Sequence, residues 1–229
     1  LIFSVAAKTK VCVLICQYFV IKKYNNGRFS FDFIDMKFKQ NSYGQLLIGI
    51  GTGMIVCIIC ILILSTIKSI KFKGTGFMFC PANKVIKDII IIFIASALAG
   101  FVEEITCRGI ILNQLMQFKG EVFALIISSL IFAMFHGEYY HQPYMLFYVF
   151  INGILFGYSY IISGSLYLSI GLHFATDFFT NISSNCVLYF DAKDNILNMF
   201  AFVEIIVTLM LILGLVLYRY KNKKNCCQY

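Results

Sequence analysis

YGQLLIGIGTGMIVCIICILILSTI, residues 43–67, decides the class of this protein: no charged side chain falls between Lys39 and Lys68. The hydrocarbon layer of a bilayer is about 30 Å thick and is crossed by about 20 predominantly apolar residues of helix. This run exceeds that length and is apolar on every face, so it has no polar side to turn to water. The whole chain agrees: of 229 residues, 60% are hydrophobic and 13% charged, where a soluble domain is about a quarter charged. With 24 Phe, 14 Tyr, no Trp and a mean hydropathy of +0.83, a water-soluble monomer and a disordered chain are both excluded.

Working outward, further apolar runs are Val11–Ile21, Ile89–Val102, Val122–His136, Tyr144–Ile162, Leu166–Ile182 and Ile196–Leu217. They are punctuated by Gly74, Gly76 and Pro81, by Lys119-Gly120-Glu121, by the polar break Gly137–Pro143, by Ser163-Gly164-Ser165 and by the polar loop Asn181–Asn195. The expected fold is therefore all-α, a multi-pass transmembrane bundle of about seven helices. Three stretches organise it: residues 1–83, N-terminal helices and basic loops; 84–184, a core holding the unusual charges; and 185–229, a last helix and basic tail. The chain opens at Leu1 without Met, and Val11–Ile21 reads as a truncated first helix or the remnant of a signal anchor.

The net charge of +8 resides mostly in Lys22–Lys39, Lys68–Lys87 and Arg219–Lys224. That is the distribution of loops beside anionic headgroups, so the partner is the lipid bilayer of a cell membrane and not nucleic acid. If successive loops alternate sides, Lys22–Lys39 and the tail share one face, taken as cytoplasmic, and Lys68–Lys87 lies opposite, against the positive-inside rule. The nine Cys lie in apolar runs, near their ends or in the tail and form no disulfide framework. Cys57-x-x-Cys60 sits mid-run without a second pair and reads as packing.

Seven formal charges fall between Ile89 and Ile182. Lys119, Glu121 and Glu138 sit at run ends, but Glu103, Glu104, Arg108 and Asp177 do not. At 1.5 Å per residue from Ile89, Glu103 is roughly 21 Å into the membrane. A charge there costs at least about 2.5–3.5 kcal/mol, and such a group faces a bundle interior or a wet cavity. Glu104 and Arg108 are four apart and can pair on one helix face. Glu103 is turned about 100° from Glu104. His173 and Asp177 repeat the i, i+4 spacing on another run, and His136 ends a third. A carboxylate and two imidazoles can activate water or hold a Zn²⁺ that does so.

Three motifs stand in order: Glu103-Glu104-Ile-Thr-Cys-Arg108 fits E-E-x-x-x-R, Phe132-Ala-Met-Phe-His136 fits F-x-x-x-H, and His173-Phe-Ala-Thr-Asp177 fits H-x-x-x-N/D. In this the chain resembles the CPBP family of CAAX-protease and bacteriocin-processing membrane proteins, also called Abi or type II CAAX prenyl endopeptidases. The resemblance spans about Lys84–Ser184. It implies an intramembrane endopeptidase acting on a membrane-associated peptide or protein. By the same resemblance Glu103 is the base that activates water, His136 assists it, and His173 and Asp177 stabilise the oxyanion. Glu104, Arg108 and Phe132 support them. If zinc is used, Glu103, His136 and His173 are its implied ligands, since the family is described both as metalloproteases and as glutamate-dependent. An ionised Asp177 repels an oxyanion, and the residue suits a metal ligand, a His173 orienter or a protonated acid better.

Other patterns carry less. His136-Gly-Glu138-Tyr-Tyr-His141 lacks the i, i+4 spacing of a helical zinc motif, and no P-C-x-x-C follows to complete a deaminase signature. Glu204 reads as a lone carboxylate near an interface or paired. Cys226-Cys227-Gln228-Tyr229 has no aliphatic middle pair and is not a prenylation box. The alternatives to a protease are a non-catalytic bacteriocin-immunity or accessory membrane protein, and a proton-coupled transporter, for which a symmetric second half is missing.

Overall fold

The computed structural model describes residues 2–34, 36, 41–183, 187–192 and 195–226. Among the described residues there are eight α-helices: α1 (Ile2–Tyr24), α2 (Ser42–Thr66), α3 (Ala82–Glu104), α4 (Asn113–Lys119), α5 (Glu121–Met134), α6 (Pro143–Ser163), α7 (Leu166–Ser183) and α8 (Ile196–Cys226). A π-helical segment, Ile105–Leu112, joins α3 to α4 without a break, giving one rod from Ala82 to Lys119. Counted as rods there are seven, as the apolar runs predict. Four are long and apolar enough to cross a membrane: Ser42–Thr66, Ala82–Lys119, Pro143–Ser163 and Asn198–Lys221. The protein is an all-α, multi-pass helical bundle.

Local chemistry sets the breaks. Pro143 opens α6, where its missing N–H costs nothing. Gly164 closes α6 in the left-handed region at φ 61°, and Gly120, at φ 81°, turns the chain from α4 into α5.

Two loops expected to be irregular form a small sheet. β1 (Ile70–Thr75) and β2 (Leu188–Ala192) pair antiparallel, Ile70 opposite Ala192 and Phe72 opposite Phe190, with an irregularity between Phe72 and Gly74. Their inward residues join an apolar cluster with Val56, Cys60, Leu64, Phe200 and Val203, which pins the end of α2 to the start of α8 on one face. On the opposite face Arg219 of α8 makes two bonds, 2.8 and 3.0 Å, to the Glu121 carboxylate at the start of α5.

α7, which bears His173 and Asp177, is held by close backbone approach. A methyl group on Gly49 of α2 would stand 2.3 Å from the Leu168 carbonyl oxygen, and one on Gly171 would stand 2.3 Å from that of Leu46. On its other flank a methyl on Gly100 of α3 would meet the Phe174 nitrogen at 3.2 Å. Missing side chains thus let α7 sink between α2 and α3, which sets the depth and rotation of its polar residues.

Candidate functional site

Glu104 and Arg108 are both fully buried. Arg108 donates from Nη1 to Glu104 Oε1 at 2.6 Å and from Nη2 to the Gly153 carbonyl of α6 at 2.9 Å. Its guanidinium lies over the Phe132 ring at 4.4 Å and the Phe156 ring at 5.5 Å. A charge this deep persists only when paired and hydrogen-bonded. Here the acid, a carbonyl and two aromatic faces provide that, and they lock the α3–π junction to α5 and α6.

Glu104 has a second partner. His173 Nδ1 donates to the same Oε1 at 2.9 Å. This bond fixes the ring so that Nε2 faces the remaining acids, 3.5 Å from Asp177 Oδ2 and 3.9 Å from Glu103 Oε2. The ring also stacks on Phe156, centroids 4.8 Å apart at 16°.

His136 lies just beyond α5, and its Nδ1 is 2.9 Å from the Phe132 carbonyl. A carbonyl only accepts, so Nδ1 carries the proton and Nε2 keeps its lone pair. That lone pair is turned toward Glu103 Oε2 at 3.9 Å. Burial pushes the His136 pKa below its usual value, outweighing the bond to Phe132, which raises it. The neutral ring is therefore the resting form near pH 7.

Three helical segments thus bring one carboxylate oxygen to 3.9 Å from each of two imidazole nitrogens. Acceptors so spaced complement a water molecule, whose two O–H groups donate at about 2.8 Å. The same donor set is chemically suited to zinc, but two ligands of one tetrahedral zinc lie about 3.4 Å apart. Among the described residues no group of three or more His, Cys, Asp or Glu side chains has the arrangement of a metal site. As placed, these contacts are wider than those between ligands of a tetrahedral zinc.

A cavity of about 170 Å³ opens beside this centre, its wall including His136, His173 and Asp177. The three motifs are thereby brought together. Glu103, His136, His173 and Asp177 meet around one point, Glu104 and Arg108 stand behind them, and Phe132 is the common neighbour of Arg108 and both imidazoles. Sequence reasoning passed over Tyr148 and Asn152, which also line the cavity. Their signal was the spacing Tyr148, Asn152, Phe156 on one face of α6. Of the two readings of Glu204, near an interface or paired, the structure shows the second: it is 1% exposed and accepts from the Tyr148 hydroxyl at 3.1 Å.

Fold and site together define a multi-pass helical membrane protein with a buried acid–imidazole centre. Residues 85–179 match the family described as type II CAAX prenyl endopeptidase Rce1-like, a stretch that holds all three motifs and bears out the family resemblance. Comparison with curated proteins gives no match.

Proposed function

We propose that this protein is an intramembrane endopeptidase that hydrolyses a peptide bond in a membrane-associated substrate, with water activated by Glu103. The carrying observation is the approach of Glu103 Oε2 to both Nε2 atoms, 3.9 Å each, from three separate segments. The family match, to a group named for cleaving prenylated CAAX proteins, supports the same reading.

Water held between Glu103 and His136 gives its proton to the Glu103 carboxylate as its oxygen attacks the peptide carbonyl carbon. The carbonyl π electrons move to oxygen and form the tetrahedral intermediate. Glu103 returns the proton to the amide nitrogen as the C–N bond breaks, which releases an amine and a carboxylic acid, and the acid's proton then passes to the amine to leave a carboxylate and an ammonium. His173, anchored by Glu104, borders the developing charge. Asp177 orients His173 and does not face the oxyanion as a donor.

The test uses purified protein in proteoliposomes with a quenched fluorescent farnesylated peptide ending in Cys-aliphatic-aliphatic-X. Cleavage is expected, with product masses locating the broken bond and activity unchanged by chelator after metal content has been measured. An intact peptide overturns the substrate reading. Activity lost with chelator and restored by Zn²⁺ overturns the metal-free mechanism.

A further inference from the structure

The proposed mechanism leaves one role unfilled: a donor for the carbonyl oxygen as it becomes an oxyanion. Position 177 is Asp, and a carboxylate has no hydrogen to donate. α6 and α7 are antiparallel neighbours, and Phe156 stacks on His173. One turn from Phe156 along α6 is Asn152, and one turn from His173 along α7 is Asp177, so the antiparallel register sets Asn152 across from Asp177. Both line the cavity.

Asn152 is 5% exposed and does not stand alone. Its amide neighbours the Glu204 carboxylate of α8, which accepts from the Tyr148 hydroxyl at 3.1 Å. A carboxylate accepts, so an amide N–H of Asn152 is the group Glu204 can hold. The amide nitrogen has a second N–H, and Oδ1 has no hydrogen-bond partner in the structure. A buried amide with an unpartnered oxygen at the wall of a cavity is costly unless something completes it. A peptide group does so, accepting at its carbonyl oxygen and donating from a neighbouring N–H. Glu204 itself is a carboxylate at membrane depth that the water-activating centre does not use, and such a group calls for a role.

We propose that Asn152 is the hydrogen-bond donor to the substrate carbonyl oxygen, and that Glu204, with Tyr148, is the positioning group that holds its amide. This rests on the proteolytic reading above. It assigns a part in the reaction to α8, outside the residues 85–179 that match the family.

The test is steady-state kinetics on the farnesylated peptide in proteoliposomes. Removing one preorganised oxyanion donor lowers kcat by about 10²–10³-fold. Asn152→Ala is expected to show that loss with KM within about threefold of wild type, the signature of a contact made only in the transition state. Asn152→Leu, close in size and apolar, should match it if the smaller side chain unsettles α6. Glu204→Ala should reproduce most of the kcat loss with Asn152 still present. Asp177→Asn in the Asn152→Ala background should recover at least about tenfold, because it restores an amide to the same wall. Wild-type kcat in both Asn152 variants, or a loss carried only by KM, overturns the assignment. Glu103→Gln keeps the two readings apart: if it is inactive while Asn152→Ala is normal, only the donor assignment fails, and if it is fully active the proteolytic reading fails.

Discussion

At the scale of single residues, hydrogen-bond bookkeeping assigns the work. His136 donates from Nδ1 to the Phe132 carbonyl and so offers a lone pair, not a proton, to the water beside Glu103. Burial disfavours the charged ring, so its pKa lies below the ordinary 6.5. The active form is the neutral one, so kcat/KM should hold above that pKa and fall as pH drops through it. A pH–rate profile is expected to place this acid limb below 6.5, and His136→Gln should remove its contribution. A midpoint above that value contradicts the assignment. Arg108 works differently, since it touches no solvent and neutralises Glu104. Arg108→Ala leaves the buried Glu104 carboxylate without its counter-charge and with only the His173 bond, so a stability loss of about 3–5 kcal/mol is expected in detergent unfolding. Loss of well under that would show that Glu104 finds another partner.

At the scale of elements, the site depends on helices placed by what they lack. Gly49 and Gly171 let α2 and α7 meet backbone to backbone, and His173 lies two residues beyond Gly171. Gly49→Val should force α7 outward, cost about 1–3 kcal/mol by overpacking and depress activity further by moving His173. Gly51→Val on the same helix is the control, because a methyl there meets nothing within 4 Å. Equal behaviour of the two variants in thermal unfolding and peptide cleavage would count against this role for the α2–α7 contact. The helices themselves were legible in the sequence because length and apolarity are additive properties of a run. The three motifs were legible because i, i+4 spacing survives folding. The π segment at Ile105–Leu112 was not: its apolar and charged pattern reads as an ordinary helix, and the Arg108 bond to Gly153 that lies within it joins residues 45 positions apart. Nor was the β1–β2 pair, since its strands lie far apart in the chain and each alone looks like a polar loop. Glu104 could be paired with Arg108 from spacing, but its bond to His173 joins residues 69 positions apart and had no local signal.

At the scale of the whole molecule, the faces follow from two contacts. β1–β2 fixes the ends of α2 and α7 on one side, and Arg219–Glu121 fixes the end of α8 and the start of α5 on the other. Single cysteines in a cysteine-free background at Arg28 and Arg219 should therefore react with an impermeant maleimide from one side of sealed vesicles. Cysteines at Lys71 and Glu138 should react from the other, and mixed labelling would break the proposed topology. The scarcity of charge that marks this chain as a membrane protein also makes its buried charges informative. Glu103, Glu104, Arg108 and Asp177 are expensive at depth, and they converge with two histidines beside one cavity. The most direct test of that convergence is cleavage of the farnesylated peptide by Glu103→Gln beside wild type, in matched proteoliposomes. The substitution keeps size and polarity and removes the base, so turnover should fall by about 10²–10⁴-fold while the unfolding midpoint stays near wild type. Full activity in Glu103→Gln would contradict the account.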